Sequence, residues 1–343
     1  MSFEKRSEEA RVDIIIPVFN ACDFTRKCLE SLFRNVSVPM RIWVIDNAST
    51  DATRAVLAEL GAHCPRHIEL FPVHNTENRG WIGGINQGLE LSRAPFVVIA
   101  NNDVLVYPHT MEEMISVAGA DPRIGLVNPD SNEFGFRSDR EGEPPSLSKI
   151  EELYLRNQGR WVEGCAVIGF FALIKRELIQ KIGGMDPVYG HGYSEDDDYS
   201  ECARAKGYLC VRALGAYVHH FGTKTFAHDA KKSLKEKNEK TLIARWGELR
   251  REVVLPGAKI LKNRKNADVF SERLRERLRQ KTGYIYIFVP RSKKHLFEFQ
   301  HDNFWIKTYP ARGLGTLSLF LWRLFRPKHK PVFVISPKNV MNE

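Results

Sequence analysis

The chain has 343 residues, 43% of them hydrophobic, and a formal net charge of +9. That length suits one large domain or two smaller ones, with enough apolar residues for a sizeable core. No apolar run approaches the roughly 18 residues of a membrane span, and the charged opening from Ser2 to Arg11 is unlike a signal peptide. Six cysteines are scattered without a CxxC pair. They read as reduced thiols in a cytosolic protein. The charge is uneven. Residues 1–230 carry 24 Lys+Arg against 32 Asp+Glu, a net of −8, whereas residues 231–343 carry 27 against 10, a net of +17. Such a split predicts two units with different partners, the second favouring an anionic surface.

Val12 to Val18 is an apolar, β-branched run and predicts a buried strand, with Pro17 at its end. Helical spacing follows from Asp23 to Phe33. A second strand, Arg41 to Ile45, ends at Asp46, and Asp51 caps a helix over 52–60. A third strand is expected over 68–73, a Gly-rich helix over 80–91, and a fourth strand, Phe96 to Ala100, ending at Asn101. This alternation predicts a doubly wound α/β sheet. Residues 130–159 read as a long polar excursion, and Gly164 to Ile174 as a return to the core. A short helix is expected over 175–182, a helix over 195–206, a strand over 208–211 and a charged helix over 231–251. A basic helix over 270–280, a strand over 284–290 and an amphipathic stretch over 315–325 complete the reading.

Polar clusters sit in a suggestive order: Asp46-Asn47, Asn101-Asn102-Asp103, Glu195-Asp196-Asp197-Asp198, then His219-His220. The first two follow buried strands. The carboxyl ends of parallel strands line the crevice where such sheets bind ligands. A crevice of that kind can hold a divalent cation and a nucleotide diphosphate, with the later acidic cluster supplying a base.

Read together, VDIIIPVFN, VIDNASTD, NRGWIGGINQGL, IANNDV, GFFALIKRELIQKIGGMD, SEDDDYSECARAKGY and YVHHFGTKTF resemble, in order and spacing, glycosyltransferase family 2. These are inverting sugar-nucleotide transferases with a GT-A fold, here closest to the bacterial cell-surface polysaccharide branch with its rhamnosyltransferase-like members. The resemblance covers about residues 12–226. It implies a Rossmann-like, mostly parallel sheet flanked by helices over 1–230, with a nucleotide-sugar half at about 12–105 and an acceptor half at about 106–230. A basic α/β or helical extension over 231–343 lies outside it.

The resemblance implies that Pro17, Asn20, Asp46, Asn78, Arg79, Gly80 and Asn102 contact the donor, a UDP- or dTDP-sugar. The lesser alternative for Asp46 is a turn with Asn47, and Arg79 can equally be a solvated loop charge. Asp103 is the expected ligand of a divalent cation, Mn2+ or Mg2+, because hard cations take oxygen ligands and steady a departing diphosphate. Asn101 stands where many relatives carry Asp. Of the two histidines, His219 is favoured over His220 for the metal or diphosphate. Asp196 matches the family's base, since an acceptor hydroxyl attacks only once its proton is removed. Glu195 orients the acceptor, and Asp198, three residues on, shares its face. Lys224, with Thr223 and Thr225, can meet phosphate oxygens. Trp161 and Trp81 read either as sugar platforms or as core, and His191 as incidental. Cys202 replaces an arginine frequent in this helix.

The basic stretch 313–330 suggests contact with an anionic membrane, which suits a lipid-linked saccharide or glycan acceptor and a peripheral place on the inner face of the membrane. Packing on the catalytic unit or a homodimer contact is the alternative. No specific nucleic-acid motif is present. The competing functions are a nucleotidyltransferase on a related fold and a non-catalytic carbohydrate- or nucleic-acid-binding protein.

Overall fold

The computed structural model describes residues 11–132, 143–164, 166–222, 228–247, 250–256, 258–280, 283–297, 306–311 and 332–335. The chain divides into two compact units, Met1–Trp161 with Ala166–Leu242, and Val162–Cys165 with Ile243–Glu343.

The first unit begins as βα repeats: β1 (Val12–Val18), α1 (Cys22–Asn35), β2 (Met40–Asp46), α2 (Thr53–Ala62), β3 (Ile68–His74), α3 (Gly80–Leu91) and β4 (Phe96–Ala100). There follow β5 (Val104–Val106), α4 (Thr110–Ala120), β6 (Ile124–Ser131), α5 (Leu147–Asn157), β7 (Trp161–Gly164, whose residues after Trp161 fall in the second unit), β8 (Phe171–Lys175), α6 (Arg176–Ile182), α7 (Glu195–Ala205), β9 (Leu209–His220) and α8 (His228–Trp246, in this unit as far as Leu242). The sheet runs β3-β2-β1-β4-β8-β6-β9-β5. β1 to β4 are mutually parallel, β8 is antiparallel to both β4 and β6, and β9 is parallel to β6 but antiparallel to β5.

Every residue of β1 is buried. A strand covered on both faces has no polar side, so its sequence is apolar apart from Asp13, whose buried charge is met by Arg41. The helix α3 packs on β1 and β2, α1 packs on β5 and α2, and α4 packs on β6 and β9. The core formed around Ile14, Ile16, Leu29, Val44, Val98 and Leu173 is mostly valine, isoleucine and leucine, with methionine, alanine and phenylalanine among the rest. Because β1 lies between β2 and β4, the loops after Val18, Asp46 and Ala100 leave the same edge of the sheet on either side of a change in strand order. This is the place where open α/β sheets bind ligands.

The second unit contains β10 (Arg250–Val254), α9 (Arg264–Gln280), β11 (Gly283–Pro290), β12 (Ile306–Ala311) and β13 (Val332–Ile335). Its sheet is parallel throughout, in the order β12-β11-β10-β13. Ala267, Phe270, Ser271 and Leu274 form the buried stripe of α9, at the spacing of one helical face. Among the described residues no helix is long and apolar enough to cross a membrane. The cysteines described, Cys22, Cys28, Cys64, Cys202 and Cys210, are not joined in disulfides. The stretch 313–330 expected to meet a membrane lies outside the described residues.

Candidate active site

The edge formed by β1, β2 and α3 is a network of side-chain amides and one carboxylate. Asp46 is fully buried; its Oδ1 accepts from the Ser49 amide at 2.8 Å, and its Oδ2 lies 2.8 Å from His74 Nδ1 and 3.5 Å from Arg54 Nε. Burial pushes its pKa up, but the hydrogen bonds from Ser49 and His74 outweigh it and hold the carboxyl below its ordinary range. Asp46 thus stays ionised and shapes the β2–α2 loop. Asn20, in a left-handed conformation at φ 58, accepts from the Thr50 amide at 2.8 Å, and its own amide donates to Ser49 Oγ at 2.8 Å. Asn47 donates to the Gly80 carbonyl at 3.0 Å and accepts from Asn75 at 3.0 Å.

Gly80, Gly84 and Gly88 let α3 lie close to its neighbours. A Cβ on Gly84 would fall 2.8 Å from Pro17 Cβ, and one on Gly80, whose φ is +69, would fall 2.6 Å from His191 Nδ1. Asn78 Oδ1 accepts from the Gly80 amide at 2.8 Å. Arg79 is exposed at the start of α3.

At the end of β4 the turn Asn101–Asp103 meets β9. Val104 pairs with His220 across β5 and β9. This register brings His220 Nε2 to 3.2 Å from Asp103 Oδ1 and 3.2 Å from Asn101 Nδ2. Asn132 locks the His220 backbone from both sides, accepting from its amide at 2.8 Å and donating to its carbonyl at 2.9 Å. The Phe170 ring stacks on the imidazole with centroids 5.1 Å apart.

His219, favoured by the sequence reading, lies on β9 beside His220 and pairs with Leu105. It is 1% exposed, its Nδ1 is 3.5 Å from Tyr217 Oη, and its Nε2 has no hydrogen-bond partner among the described residues. Successive side chains of a strand point to opposite faces, so only one of the two histidines can meet Asp103. Burial, then the neighbouring His220, lowers the His219 pKa and keeps it neutral. Asn102 turns to α1, where its amide donates to Thr25 Oγ1 at 3.0 Å. A carboxylate, an imidazole and an amide in contact suit a divalent cation that takes its remaining ligands from a diphosphate or water. Among the described residues, no group of three His, Cys, Asp or Glu forms a closed metal cage.

The acid pair opens α7. Glu195 is 7% exposed, and among the described residues its Oε2 has no hydrogen-bond partner. Burial, then the charge of Asp196, pushes its pKa up to about 8. Asp196 is also raised by burial, against backbone hydrogen bonds from Gly169 at 3.1 Å and Asp197 at 2.9 Å. Trp81 edges the same spot, with Cζ2 3.7 Å from where a Gly169 Cβ would sit. Asp198 is buried one turn beyond Glu195. Trp161 is partly buried and packs against the hydrophobic core. Lys224, Thr223 and Thr225 lie outside the described residues.

Sequence reasoning missed Asn132, Gly169 and Phe170, and it set His191 aside. Gly169 and Phe170 join the two clusters. Gly169 donates to Asp196, while the Phe170 carbonyl accepts from the Asn101 amide at 2.8 Å. The apolar segment GFFALIK showed a core strand but not that its first two residues serve the site. His191 sits on Gly80 through a contact between distant loops, which no local pattern marks.

A family model described as glycosyl transferase family 2 matches residues 13–183. The putative glycosyltransferase EpsH of Bacillus subtilis (strain 168) is 27% identical over 121 residues, 35% of this chain and 34% of that protein. The succinoglycan biosynthesis protein ExoO of Rhizobium meliloti (strain 1021) is 28% identical over 225 residues, 61% of this chain and 60% of that protein. The match thus spans only about a third to three fifths of these relatives' length. The mannosyltransferase PcManGT from Pyrobaculum calidifontis, solved in complex with GDP-Man and Mn2+, is alike in fold, with a TM-score of 0.51 at 21% identity over 68% of this chain and 63% of that one. With a parallel β1–β4 sheet and polar clusters at its carboxyl edge, the chain belongs to glycosyltransferase family 2 and has its GT-A fold.

Proposed function

We propose that this protein is an inverting, divalent-cation-dependent glycosyltransferase. It would move a sugar from a nucleoside-diphosphate sugar, with UDP or dTDP as the expected carrier, to a hydroxyl of a glycan or lipid-linked acceptor. The observation that carries this reading is the junction at Gly169-Phe170, which puts Asp196 one residue from the support of the Asp103–Asn101–His220 cluster. A base and a diphosphate-facing cluster must be neighbours if one sugar is to pass between them. The naming of ExoO for succinoglycan biosynthesis supports a role in polysaccharide assembly.

Asp196 accepts the proton of the acceptor hydroxyl as its oxygen bonds to the anomeric carbon. The bond from that carbon to the diphosphate breaks on the opposite face, so configuration inverts. A base with a raised pKa suits this step. Protonated Glu195 donates a hydrogen bond rather than adding a second negative charge. Asp103, His220 and Asn101 would hold Mn2+ or Mg2+, which supplies charge neutralisation at the leaving diphosphate.

The test is calorimetric titration with UDP, dTDP and GDP, each with and without Mn2+, followed by transfer assays on Asp196→Asn. Metal-dependent binding of one nucleotide, with transfer abolished and binding retained in the variant, is the expected result. Transfer at a parental rate by Asp196→Asn sinks the base assignment, and no nucleotide binding by folded protein sinks the donor site.

A further inference from the structure

Of the side chains described on α8, only Asn238 and Leu242 are buried. A helix that buries an amide incurs a desolvation cost unless the amide is hydrogen-bonded. Asn238 is fully buried, and its Nδ2 faces three carbonyls of one loop, Tyr189 and Gly192 at 2.7 Å and Tyr193 at 3.1 Å. That loop is conformationally demanding. Gly190, Gly192, Tyr193 and Ser194 all have positive φ, at 62, 126, 69 and 69°. Consecutive non-glycine residues in the left-handed region persist only where surrounding contacts enforce them. The next residues are Glu195 and Asp196. The same loop carries His191 onto Gly80 at the start of α3. Neither the family match nor the motif resemblance extends to α8.

We propose that Asn238 is a positioning residue for the transfer reaction, clamping the Tyr189–Tyr193 loop so that α7 begins where Glu195 stays dry and Asp196 meets Gly169. The inference rests on the function proposed above for its catalytic meaning, but the clamp itself is a property of the loop. Glu195 faces Asp196 and Asp197 on its own helix and the Gly192 backbone from the clamped loop. Freeing that loop admits water to Glu195 and lets it ionise at lower pH.

The experiment compares the full chain with Asn238→Ala and Leu242→Ala. The readouts are hydrogen–deuterium exchange of the 189–195 segment, the carboxyl 13C titration of Glu195, and sugar transfer. Asn238→Ala should raise exchange in 189–195 by at least about tenfold with β1 unchanged. It should move the Glu195 midpoint towards the ordinary carboxylate range and lower kcat at least about tenfold with donor KM little altered. Leu242→Ala, which keeps the amide, should leave the midpoint in place. An equal shift in both variants, or none in Asn238→Ala, overturns the proposal. Should Asn238→Ala lose protection in β1 as well, Asn238→Ser is read in the same way. Exchange and titration need no substrate. If they behave as expected while the parent transfers sugar from none of the UDP-, dTDP- or GDP-sugars, the proposed function fails and the loop clamp stands.

Discussion

His220 Nε2 lies 3.2 Å from Asp103 Oδ1, although the two residues are far apart in sequence and join only through the pairing of β5 with β9. The adjacent His219 belongs to the opposite face. His220→Ala should therefore weaken Mn2+-dependent nucleotide binding by about 10–100-fold, the usual effect of losing a group that tunes a metal site. His219→Ala should leave that affinity within about threefold and instead lower stability by about 1–3 kcal/mol, as for other buried polar groups. Calorimetry and urea unfolding of both variants separate the two roles. A larger binding loss in His219→Ala would reverse the assignment.

Glu195 makes stability depend on pH in a direction opposite to most carboxylates. Its folded pKa, about 8, lies above the ordinary value of 4.5. The folded state therefore holds the proton where the unfolded state has released it. No penalty exists below pH 4.5; it grows between 4.5 and 8 and is complete above 8. Glu195→Gln removes the ionisation. Its stability relative to the parent should rise through that window, by no more than about 5 kcal/mol. Parallel urea midpoints from pH 4 to 9 would show instead that water reaches the carboxyl.

The contact of His191 with Gly80 couples the α7 loop to the first turn of α3. Gly80→Ala places a methyl against the imidazole in a backbone region that costs alanine about 1–2 kcal/mol. It should lower both stability and nucleotide affinity. Adding His191→Ala removes the clash but not the backbone strain, so the double variant should recover about 0.5–3 kcal/mol relative to additivity. Simple additivity would mean the two residues are not in contact in solution.

Much of this arrangement was legible in the sequence because its causes are local. β1 and β4 are buried on both faces, and continuous apolar runs mark such strands. The motif residues Asp46, Asp103 and Asp196 all come to one edge of the sheet or to the loop facing it. The choice between His219 and His220 was not legible. The phase of β9 is set by its partner β5, a three-residue strand that no periodicity announces. The bond from Asn102 to Thr25 was not legible either, since a single residue's direction in a tight turn carries no repeating signal. Asn238 was hidden for another reason. It sits among lysines and glutamates in a helix with no strong apolar face, and its partners are backbone carbonyls, which leave no mark in sequence.

Asp13 offers a test that separates the frame from the chemistry. It is fully buried near the start of β1, and accepts from Arg41 Nε at 2.7 Å, the Ala94 amide at 2.6 Å and Trp43 Nε1 at 3.4 Å, with Arg176 Nη2 at 3.8 Å. One carboxylate thus ties β1 to β2, to the entry of β4 and to the start of α6. Removing its charge leaves Arg41 and Arg176 facing an amide that cannot compensate them, a loss of about 3–5 kcal/mol for a broken buried pair. Asp13→Asn should lower the urea midpoint accordingly with little change in the slope. Yet Asp13 lies at the amino end of its strand. The donor edge begins beyond Val18, roughly 16 Å away at the rise of an extended strand. Nucleotide affinity and kcat of the folded fraction should therefore match the parent. A kcat loss with unchanged stability would show that this anchor reaches the site through the sheet, and would move Asp13 from the frame into the positioning of the reaction.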